Sequence, residues 1–382
     1  MKFSLTSEFR EKLRSEINNS NIKFIENVFK DISYVDITEL LYEFDSEESK
    51  YILDNINSET SAQIISELDQ DTREKFLKIY SNKEIASYLE FIDSDDGADI
   101  LSELDEEDKV DIILNISDKQ KSKDLKDLLK YDDDVAGGLM AKELVKCNIN
   151  WKISQCINLI KKQAEKVSMI YSVYVTDDKG KLLGKVSLKD IILAKDNSQI
   201  KDVYDDYIIS VDVKMSQEDV AQIMQKYDLT VLPVINKRGK LVGRITIDDV
   251  VDVITETAEE ERQIMSGITS DVEEDDSVWK LSNARLPWLI IGIFGGLFGA
   301  FFLGSFESNY FNGNEIFISL SFFIPLIMAT AGNVGIQSSS IVIQSLSNPS
   351  AFKSSATNRL FKVILVSALN GFVLSLMVYF GL

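Results

Sequence analysis

The sequence contains no histidine, only two cysteines, and far fewer basic than acidic residues. The absence of histidine excludes the usual zinc sites and histidine-based acid–base catalysis. Cys147 and Cys156 are too few for a disulfide framework and are typical of a protein kept in a reducing compartment. The 41 lysines and arginines are outnumbered by 62 aspartates and glutamates, which leaves a net charge of −21. That balance argues against nucleic acid as a partner, because phosphate binding requires clustered basic residues.

Charge and hydrophobicity are distributed unevenly along the 382-residue chain, which is long enough for two or three domains. Nearly all of the acidic residues precede about residue 277, whereas the sequence from Leu286 onward is strongly apolar. The first residues, MKFSLTSEFREKLRSE, contain no apolar stretch, so we expect no cleaved signal peptide. This distribution predicts a soluble acidic body followed by a membrane-embedded segment.

An apolar or aromatic residue recurs every twelve positions in the N-terminal part of the chain: Phe44, Ile56, Leu68, Tyr80, Ile92, Leu104 and Ile116. The residue after each of these anchors favours a helix N-terminus: Asp45, Asn57, Asp69, Ser81, Asp93, Asp105 and Ser117. Three positions further, five repeats carry a residue suited to a capping box: Glu48, Glu84, Asp96, Asp108 and Gln120. Because short helices cannot bury a face alone, the repeat predicts an all-α superhelix over about residues 1–130, without indicating a ligand.

A second repeat lies in the middle of the chain. Residues 170–192, IYSVYVTDDKGKLLGKVSLKDII, align without a gap with residues 229–251, LTVLPVINKRGKLVGRITIDDVV. Each copy has a β-rich run, a polar turn with glycine, a second short strand, and a Ser/Thr-x-x-Asp sequence that opens a helix. An amphipathic helix precedes each copy, near residues 153–166 and 216–227. The pattern predicts two related α/β units.

These two copies resemble a CBS-domain pair, whose signature is Gly-h-x-Ser/Thr-x-x-Asp, where h is a hydrophobic residue. The matching residues are Gly184, Ser187 and Asp190 in the first copy and Gly243, Thr246 and Asp249 in the second, with Lys185 and Arg244 at the h positions. The resemblance implies that Ser187, Asp190, Thr246 and Asp249 bind an adenine nucleotide such as ATP, the carboxylates holding ribose hydroxyls and the helix N-termini favouring phosphate. The alternative is that these residues only form N-caps and capping boxes.

Three apolar segments follow, over about residues 286–306, 316–346 and 360–382, and each is long enough to cross a membrane. Glycines at positions 292, 295, 296 and 299 give the first segment a face for close helix packing. Basic residues flank one side of the spans, and acidic residues lie in the loop on the other side: Arg285, Lys353, Arg359 and Lys362 against Glu307 and Glu315. The positive-inside rule therefore predicts a multi-pass protein of the plasma (inner) membrane with a cytosolic N-terminal body.

The second apolar segment carries polar residues at near-helical spacing, namely Thr330, Asn333, Gln337 and Ser338. Polar groups at membrane depth are costly unless they face protein or water. They indicate either a water-lined path or a helix–helix contact, and the spacing alone leaves both open.

The order of these parts resembles the MgtE family of magnesium channels, in which a helical superhelix, a CBS pair, an acidic connecting helix and a glycine-rich membrane domain follow one another. Local matches are residues 131–140 (YDDDVAGGLM), 306–308 (FES) and 323–338 (FIPLIMATAGNVGIQS). The resemblance implies a multidomain fold: an all-α superhelical N-terminal domain over residues 1–130, an α/β CBS pair over 131–252, a connecting (plug) helix over 253–284, and an α-helical transmembrane domain over 285–382. It also implies that Asn333 and Gln337 line a pore.

The resemblance assigns Mg²⁺ to acidic patches that face one another between these parts. The implied ligands are Asp95 and Asp99 on the superhelix; Gly138 (through its carbonyl), Glu218, Asp228 and Asp249 on the CBS pair; and Glu260 and Glu261 on the connecting helix. Bound Mg²⁺ would hold the acidic domains together and keep the pore shut, whereas without it they would repel and separate. Homodimerisation and contact with membrane lipid are implied as well, and no nucleophile–base pair or phosphate loop indicates an enzyme.

The family has five membrane helices, with a pore aspartate on the fifth, whereas this sequence carries three apolar segments. The expectation is therefore that the last two helices are missing from the chain. Two functions follow from the sequence. One is Mg²⁺ transport gated by cytosolic Mg²⁺. The alternative is a membrane-anchored sensor or regulatory subunit that binds Mg²⁺ or an adenine nucleotide and conducts nothing.

Overall fold

The computed structural model describes residues 6–163, 170, 172–195, 197–269, 272, 276–307, 323–347 and 356–381. The chain divides into two compact units, Met1–Ile254 and Thr255–Leu382. The first unit contains short helices and two small sheets, and the second contains three long apolar helices. The predicted multidomain fold class is confirmed.

Ten short helices form the N-terminal part of the first unit. They are α1 (Ser7–Asn18), α2 (Ile22–Phe29), α3 (Tyr34–Leu41), α4 (Ser46–Asp54), α5 (Ser58–Glu67), α6 (Gln70–Leu77), α7 (Asn82–Leu89), α8 (Ser94–Ser102), α9 (Glu106–Asn115) and α10 (Lys119–Leu128). In most repeats the apolar residues eight and nine positions after the anchor are buried, for example Ile52 with Leu53 and Ile100 with Leu101. Since each buried Ile or Leu contributes roughly 1.5–3 kcal/mol, stacking these helices supplies the stability that no single helix has.

The predicted caps begin most of the repeat helices. Four of them accept a hydrogen bond from a backbone N–H of the first turn: Asp45, Asn57, Asp69 and Ser81. Complete capping boxes form at Asp45–Glu48 and Ser81–Glu84. In the described helices α8 to α10 no such box forms, so the boxes predicted at Asp96, Asp108 and Gln120 were wrong.

The prediction that Ser117 caps the last repeat helix was also wrong, because α10 begins one residue later. Asp118 is its N-cap and accepts from the N–H groups of Gln120 and Lys121. The backbone N–H of Ser117 instead donates to Glu90, at 2.6 Å. Two adjacent residues with good capping side chains compete here, and the contact with Glu90 determines which of them is used.

The CBS pair consists of two three-stranded sheets, ordered β1-β2-β3 and β4-β5-β6. The elements of the first repeat are β1 (Val145–Asn148), α11 (Ile153–Gln163), β2 (Val173–Thr176), β3 (Leu182–Val186) and α12 (Leu188–Leu193). A 3₁₀ turn (Ile200–Asp202) precedes the second repeat: β4 (Val211–Asp212), α13 (Gln217–Lys226), β5 (Val231–Ile235), β6 (Leu241–Thr246) and α14 (Ile247–Met265). In each sheet the first two strands are parallel and the last two are antiparallel. Part of the predicted helix over 153–166 lies outside the described residues.

Each repeat is completed by the segment that precedes the other one. Residues 135–141 pair with the second repeat, and residues 199–205 pair with the first, through the bridges Val135–Ser216, Ala141–Arg244, Gln199–Lys152 and Asp205–Lys185. The linker between the N-terminal helices and the CBS pair is therefore built into the second repeat. A single hydrophobic core runs from the N-terminal helices into this repeat and includes Ala136, Val220 and Leu232.

The second unit contains α15 (Val278–Glu307), α16 (Phe323–Ser347) and α17 (Ala356–Gly381). All three are long and apolar enough to cross a membrane. The helices α15 and α16 are so close at Gly296 that a Cβ added there would lie 2.7 Å from Leu326 Cα. The start of the predicted second segment, residues 316–322, lies outside the described residues, as does residue 382. Helix α14 ends at Met265 and α15 begins at Val278, within the region assigned to the connecting helix.

Candidate functional site

Three aspartates cluster at the start of α8. Asp95 and Asp96 lie in its first turn, and Asp99 follows one turn later on the same side of the helix. The side chain of Asp95 is buried, at 9% exposure, which is unusual for an aspartate. These residues occupy the part of the N-terminal helices that packs against the CBS pair.

Asp249 faces them from the first turn of α14. Its Oδ2 accepts hydrogen bonds from the backbone N–H of Thr246, at 2.8 Å, and from the Thr246 hydroxyl, at 2.7 Å. Its charge is close enough to raise the pKa of both Asp95 and Asp96. We refer to Asp95, Asp96, Asp99 and Asp249 as the acidic cluster.

The acidic cluster is electrostatically unfavourable on its own. Burial, followed by the charge of Asp249, raises the pKa of Asp96 to about 7. Burial, followed by the charge of Asp133, raises that of Asp99 to about 6. The pKa of Asp249 is raised to about 6 by burial, despite its bonds to Thr246, and that of Asp95 is raised well above its usual value, again mainly by burial. Asp95 has lost most of its hydration, and the four carboxylates repel one another.

Basic residues beside the acidic cluster pair with other acids, although the charges of Arg73 and Arg244 still oppose the rise in the pKa of Asp99 and Asp249. Arg73 pairs with Glu103 at 2.5 Å, Arg244 with Asp93 at 3.3 Å, and Lys121 with Glu143 at 3.0 Å. In the described part of the chain, no ion pair reaches the four members of the cluster. The negative charge also extends along α14, because burial and the charges of Asp252 and Asp248 raise the pKa of Glu67. A surface of this charge raises the local concentration of cations.

The acidic cluster does not have the arrangement of a directly coordinated metal site. Within the described ranges, no three Asp, Glu or Cys side chains converge closely enough to bind one metal ion directly. Mg²⁺ binds oxygen, gives up its waters reluctantly and usually keeps several of them, so it can bridge carboxylates through its hydration shell.

The structure brings together three of the residues implied by the sequence, namely Asp95, Asp99 and Asp249, and it places Gly138 beside Asp133. A Cβ on Gly138 would lie 2.9 Å from Asp133 Cα, and Asp133 in turn acts on the pKa of Asp99. Sequence reasoning missed Asp96 and Asp133 as members of this site. The acid runs at 95–96 and 132–134 were the available signal.

Four implied residues lie elsewhere. Glu218 and Asp228 are exposed at opposite ends of α13, about 15 Å apart at 1.5 Å per residue, so they do not share one ion within this chain. Asp228 follows the helix with a φ of 51°. Glu260 and Glu261 are exposed on the C-terminal half of α14, in the second unit.

The two CBS aspartates have the geometry of helix caps. The Ser187 hydroxyl donates to Asp190 at 2.6 Å and accepts from its N–H at 3.0 Å, and Thr246 bonds Asp249 in a similar way. The first repeat also contains a buried Tyr174 hydroxyl with no hydrogen-bond partner among the described residues. Sequence reasoning did not single out this residue.

The two residues implied to line a pore contact neighbouring segments. A Cβ on Gly292 would lie 2.6 Å from Asn333 Nδ2, so Asn333 packs against α15. Gln337 is fully buried, and its Nε2 donates to the Gly267 carbonyl at 2.8 Å. Their assignment to a pore stays a prediction.

Sequence models of known families match most of the chain. The MgtE intracellular N domain matches residues 32–134, the CBS domain matches residues 135–197 and 200–256, and a model named MgtE and described as a divalent cation transporter matches residues 324–382. The chain belongs to the MgtE family.

Curated MgtE relatives are named magnesium transporters rather than enzymes. That of Enterococcus faecalis is 36% identical over 255 residues, which are 66% of this chain and 54% of the relative. That of Thermus thermophilus is 34% identical over 238 residues, 59% of this chain and 52% of the relative. The matched part of the chain thus spans about half the length of these relatives.

Solved MgtE structures resemble the cytosolic part. The soluble part of a magnesium transporter has a TM-score of 0.59 at 27% identity and covers 66% of this chain and 98% of its own. The cytosolic domain of the Mg²⁺ channel MgtE in complex with ATP has a TM-score of 0.60 at 29% identity. The match covers 64% of this chain and 99% of the solved chain. Together with the three apolar helices, these likenesses make the chain a membrane protein with a cytosolic N-terminal body.

This MgtE chain carries an ion-pair network beside its acidic cluster. Arg244, at a position where the CBS signature is hydrophobic, is only 5% exposed, pairs with Asp93 and donates through Nε to the Glu143 carbonyl. The Glu143 carboxylate accepts from the N–H and hydroxyl of Ser94, at 3.1 and 2.6 Å. Burial alone would raise the pKa of Glu143, but Lys121 and Ser94 hold it below its usual value. The network ties α8 to the CBS pair without a metal ion.

Proposed function

We propose that this chain moves Mg²⁺ across a membrane and that cytosolic Mg²⁺ regulates the movement by binding at the acidic cluster. The observation that carries the proposal is the cluster itself: four carboxylates from two domains, of which Asp95 is buried and Asp249 is half-buried, with the nearby cations paired to other acids. The curated relatives are named magnesium transporters, which supports Mg²⁺ as the ion that is moved.

Simple electrostatics gives the regulation its direction. Two unit charges 4–8 Å apart repel by roughly 2–4 kcal/mol at an effective dielectric constant near 20. Mg²⁺ between α8 and α14 removes this repulsion, so it favours the docked form, in which the N-terminal helices pack on the CBS pair. Without Mg²⁺ the docked form is held mainly by its apolar core and the Arg244 network, and a larger fraction of molecules separates.

Helix α14 gives this change a route to the membrane helices. The same helix carries Asp249 in its first turn and Glu260 and Glu261 further along. We propose that Mg²⁺ at these positions favours a closed ion path, lined in part by Asn333 and Gln337 of α16. Since Glu218 and Asp228 lie at opposite ends of α13, we assign them to ions shared with other acidic groups, including those of a second copy in a homodimer.

The first CBS repeat is the better candidate for an adenine nucleotide. Ser187 and Asp190 are exposed at the start of α12, and a relative has been solved with ATP. Thr246 and Asp249 occupy the corresponding position of the second repeat, but the acidic cluster there disfavours a phosphate.

Reconstitution of the full chain in liposomes tests the function. We expect Mg²⁺ uptake that falls as Mg²⁺ on the cytosolic side rises, and an Asp95→Asn variant in which this inhibition is weakened. A Glu107→Gln variant is the matched control, because Glu107 has the equivalent position in the next repeat helix and is exposed. If Mg²⁺ protects the chain from protease but no uptake is seen, the chain is a non-conducting sensor and not a transporter. If the full chain shows no Mg²⁺ uptake and no Mg²⁺-dependent protection, the proposal is overturned.

A further inference from the structure

A cavity of about 540 Å³ opens on the second unit, between the end of α14 and one face of α16. Residues of both helices line it, and those that matter here are Arg262, Ser266, Ile336, Ser339, Ser340 and Ile343. No carboxylate lines it.

Arg262 is the feature of this cavity that requires explanation. Its Nε and Nη2 atoms are buried and have no hydrogen-bond partner among the described residues. Burial of a charged group without a partner is costly, and buried arginines are normally paired. Arg73 and Arg244 follow that rule through Glu103 and Asp93. A guanidinium presents parallel N–H donors that match the oxygens of a phosphate or carboxylate.

The rest of the lining suits an amphiphilic molecule. Ser339 and Ser340 add hydroxyl donors beside Arg262, whereas Ile336 and Ile343 form an apolar wall along the same face of α16. Ser340 is nearly buried, at 8% exposure, and Ile336 and Ile343 are exposed at 58% and 54%. An oxyanion at Arg262 would thus lie beside a surface that favours hydrocarbon.

The position along the helix fits the inner face of a membrane. The cavity reaches Ile343, near the end of α16 at Ser347, and the basic residues Lys353 and Arg359 follow in the sequence. Basic residues at the end of a span mark its cytosolic side, where anionic lipids bind basic pockets between membrane helices.

We propose that this cavity binds an anionic membrane lipid, with the phosphate group on Arg262 and Ser339 and an acyl chain along Ile336 and Ile343. The inference concerns a lipid site and does not depend on whether the chain moves Mg²⁺. It places a ligand beside α14, the helix that also carries Asp249, Glu260 and Glu261.

The test uses the full chain, purified in a neutral detergent and depleted of lipid. Its thermal unfolding and its native mass spectrum are recorded with phosphatidylglycerol, with zwitterionic phosphatidylcholine, and with inorganic phosphate at matched ionic strength. We expect phosphatidylglycerol to raise Tm by about 4 °C and to remain bound at about one molecule per chain. In Arg262→Gln the apparent affinity for phosphatidylglycerol should fall about tenfold or more, since the charge-assisted hydrogen bonds of the guanidinium group are lost.

Two further variants make the result specific. Lys280→Gln removes one positive charge from an exposed position on α15 outside the cavity and should respond like the wild type. Ser339→Leu keeps Arg262 and fills the cavity from an exposed position, so this variant should not bind the lipid. It tests the site independently if Arg262→Gln folds poorly.

Three results would overturn the proposal. The first is an equal response of the wild type and of both cavity variants to phosphatidylglycerol. The second is an equal effect of inorganic phosphate, which would make the ligand a free anion. The third is a loss of dimer mass in Arg262→Gln with no change in lipid binding, which would mean that a second copy covers the cavity.

Discussion

Replacing Asp95 by asparagine separates the Mg²⁺-bridging account from a purely structural role for the acidic cluster. The substitution keeps the size of the side chain and an oxygen that can accept from the N–H of Asp96, which Asp95 now binds at 3.1 Å. It removes one of the charges that oppose docking. The account predicts opposite consequences with and without Mg²⁺: the docked form becomes more stable in chelator and gains less from added Mg²⁺.

The magnitude follows from the neighbours of Asp95. After burial, the causes that raise its pKa are the charges of Asp249, Asp96, Asp93 and Glu143, in that order. Each such pair costs roughly 2–4 kcal/mol at 4–8 Å and an effective dielectric constant near 20. Proton uptake by Asp95 already relieves part of this repulsion, so we expect the metal-free docked form to gain about 1–2 kcal/mol, a factor of roughly 5–30. Loss of an acidic residue from the first turn of α8 costs about 0.3–1 kcal/mol and does not reverse the sign.

Hydrogen exchange measures the docked fraction directly, because two backbone amides bond across the interface. The Lys142 N–H donates to Ser94 Oγ at 2.7 Å, and the Ser94 N–H donates to Glu143. We expect their protection in EDTA to rise 5–30-fold in Asp95→Asn and to change little in Glu107→Gln, an equal loss of charge at an exposed site. Equal protection in the two variants, or weaker protection in Asp95→Asn at every Mg²⁺ concentration, would refute the reasoning.

Arg244→Met leaves Asp93 and the Glu143 carbonyl without their partner, so it should weaken docking by about 2 kcal/mol. The Mg²⁺ concentration needed for half-maximal protease protection should rise. The control Arg238→Met, at an exposed position, should change neither quantity. Burial raises the pKa of Asp96 to about 7 and the pKa of Asp249 to about 6, so the docked form binds more protons than the separated form. Protease protection in EDTA should therefore increase as pH falls from about 8 to about 5. Protection that does not change with pH would contradict these pKa shifts. Gly296→Ala places a Cβ 2.7 Å from Leu326 Cα and should lower the thermal stability of the detergent-solubilised chain by about 1–3 kcal/mol, whereas the neighbouring Gly295→Ala, with open space at its Cβ, should leave it nearly unchanged.

Local patterns in the sequence predicted most of the helical repeat. The twelve-residue spacing identified caps such as Asp45 and Ser81, because a cap and the backbone N–H that it binds lie only three residues apart. The spacing failed where a distant residue changes the use of a side chain. Asp93 makes no cap bond and pairs with Arg244, 151 residues away, and Ser117 yields its capping role to Asp118 because Glu90 binds its N–H.

The candidate site was predictable to the extent that its residues follow from the family resemblance. Asp95, Asp99 and Asp249 were expected together, and the structure brings them together. Asp96 and Asp133 were not expected, because only the docking of α8 on the second CBS repeat brings an acid-rich linker to the cluster. The separation of Glu218 from Asp228 could have been predicted from the sequence, because ten residues separate them and most of these form the helix α13.

If Mg²⁺ holds the N-terminal helices on the CBS pair, the distance between these two parts must depend on the Mg²⁺ concentration. Spin labels at Glu107→Cys on α9 and Lys237→Cys on the β5–β6 turn occupy exposed positions, and the native thiols Cys147 and Cys156 are buried. The account predicts one short, narrow distance distribution in the full chain at millimolar Mg²⁺, and a longer, broader one in chelator. The same short, narrow distribution in chelator would contradict it.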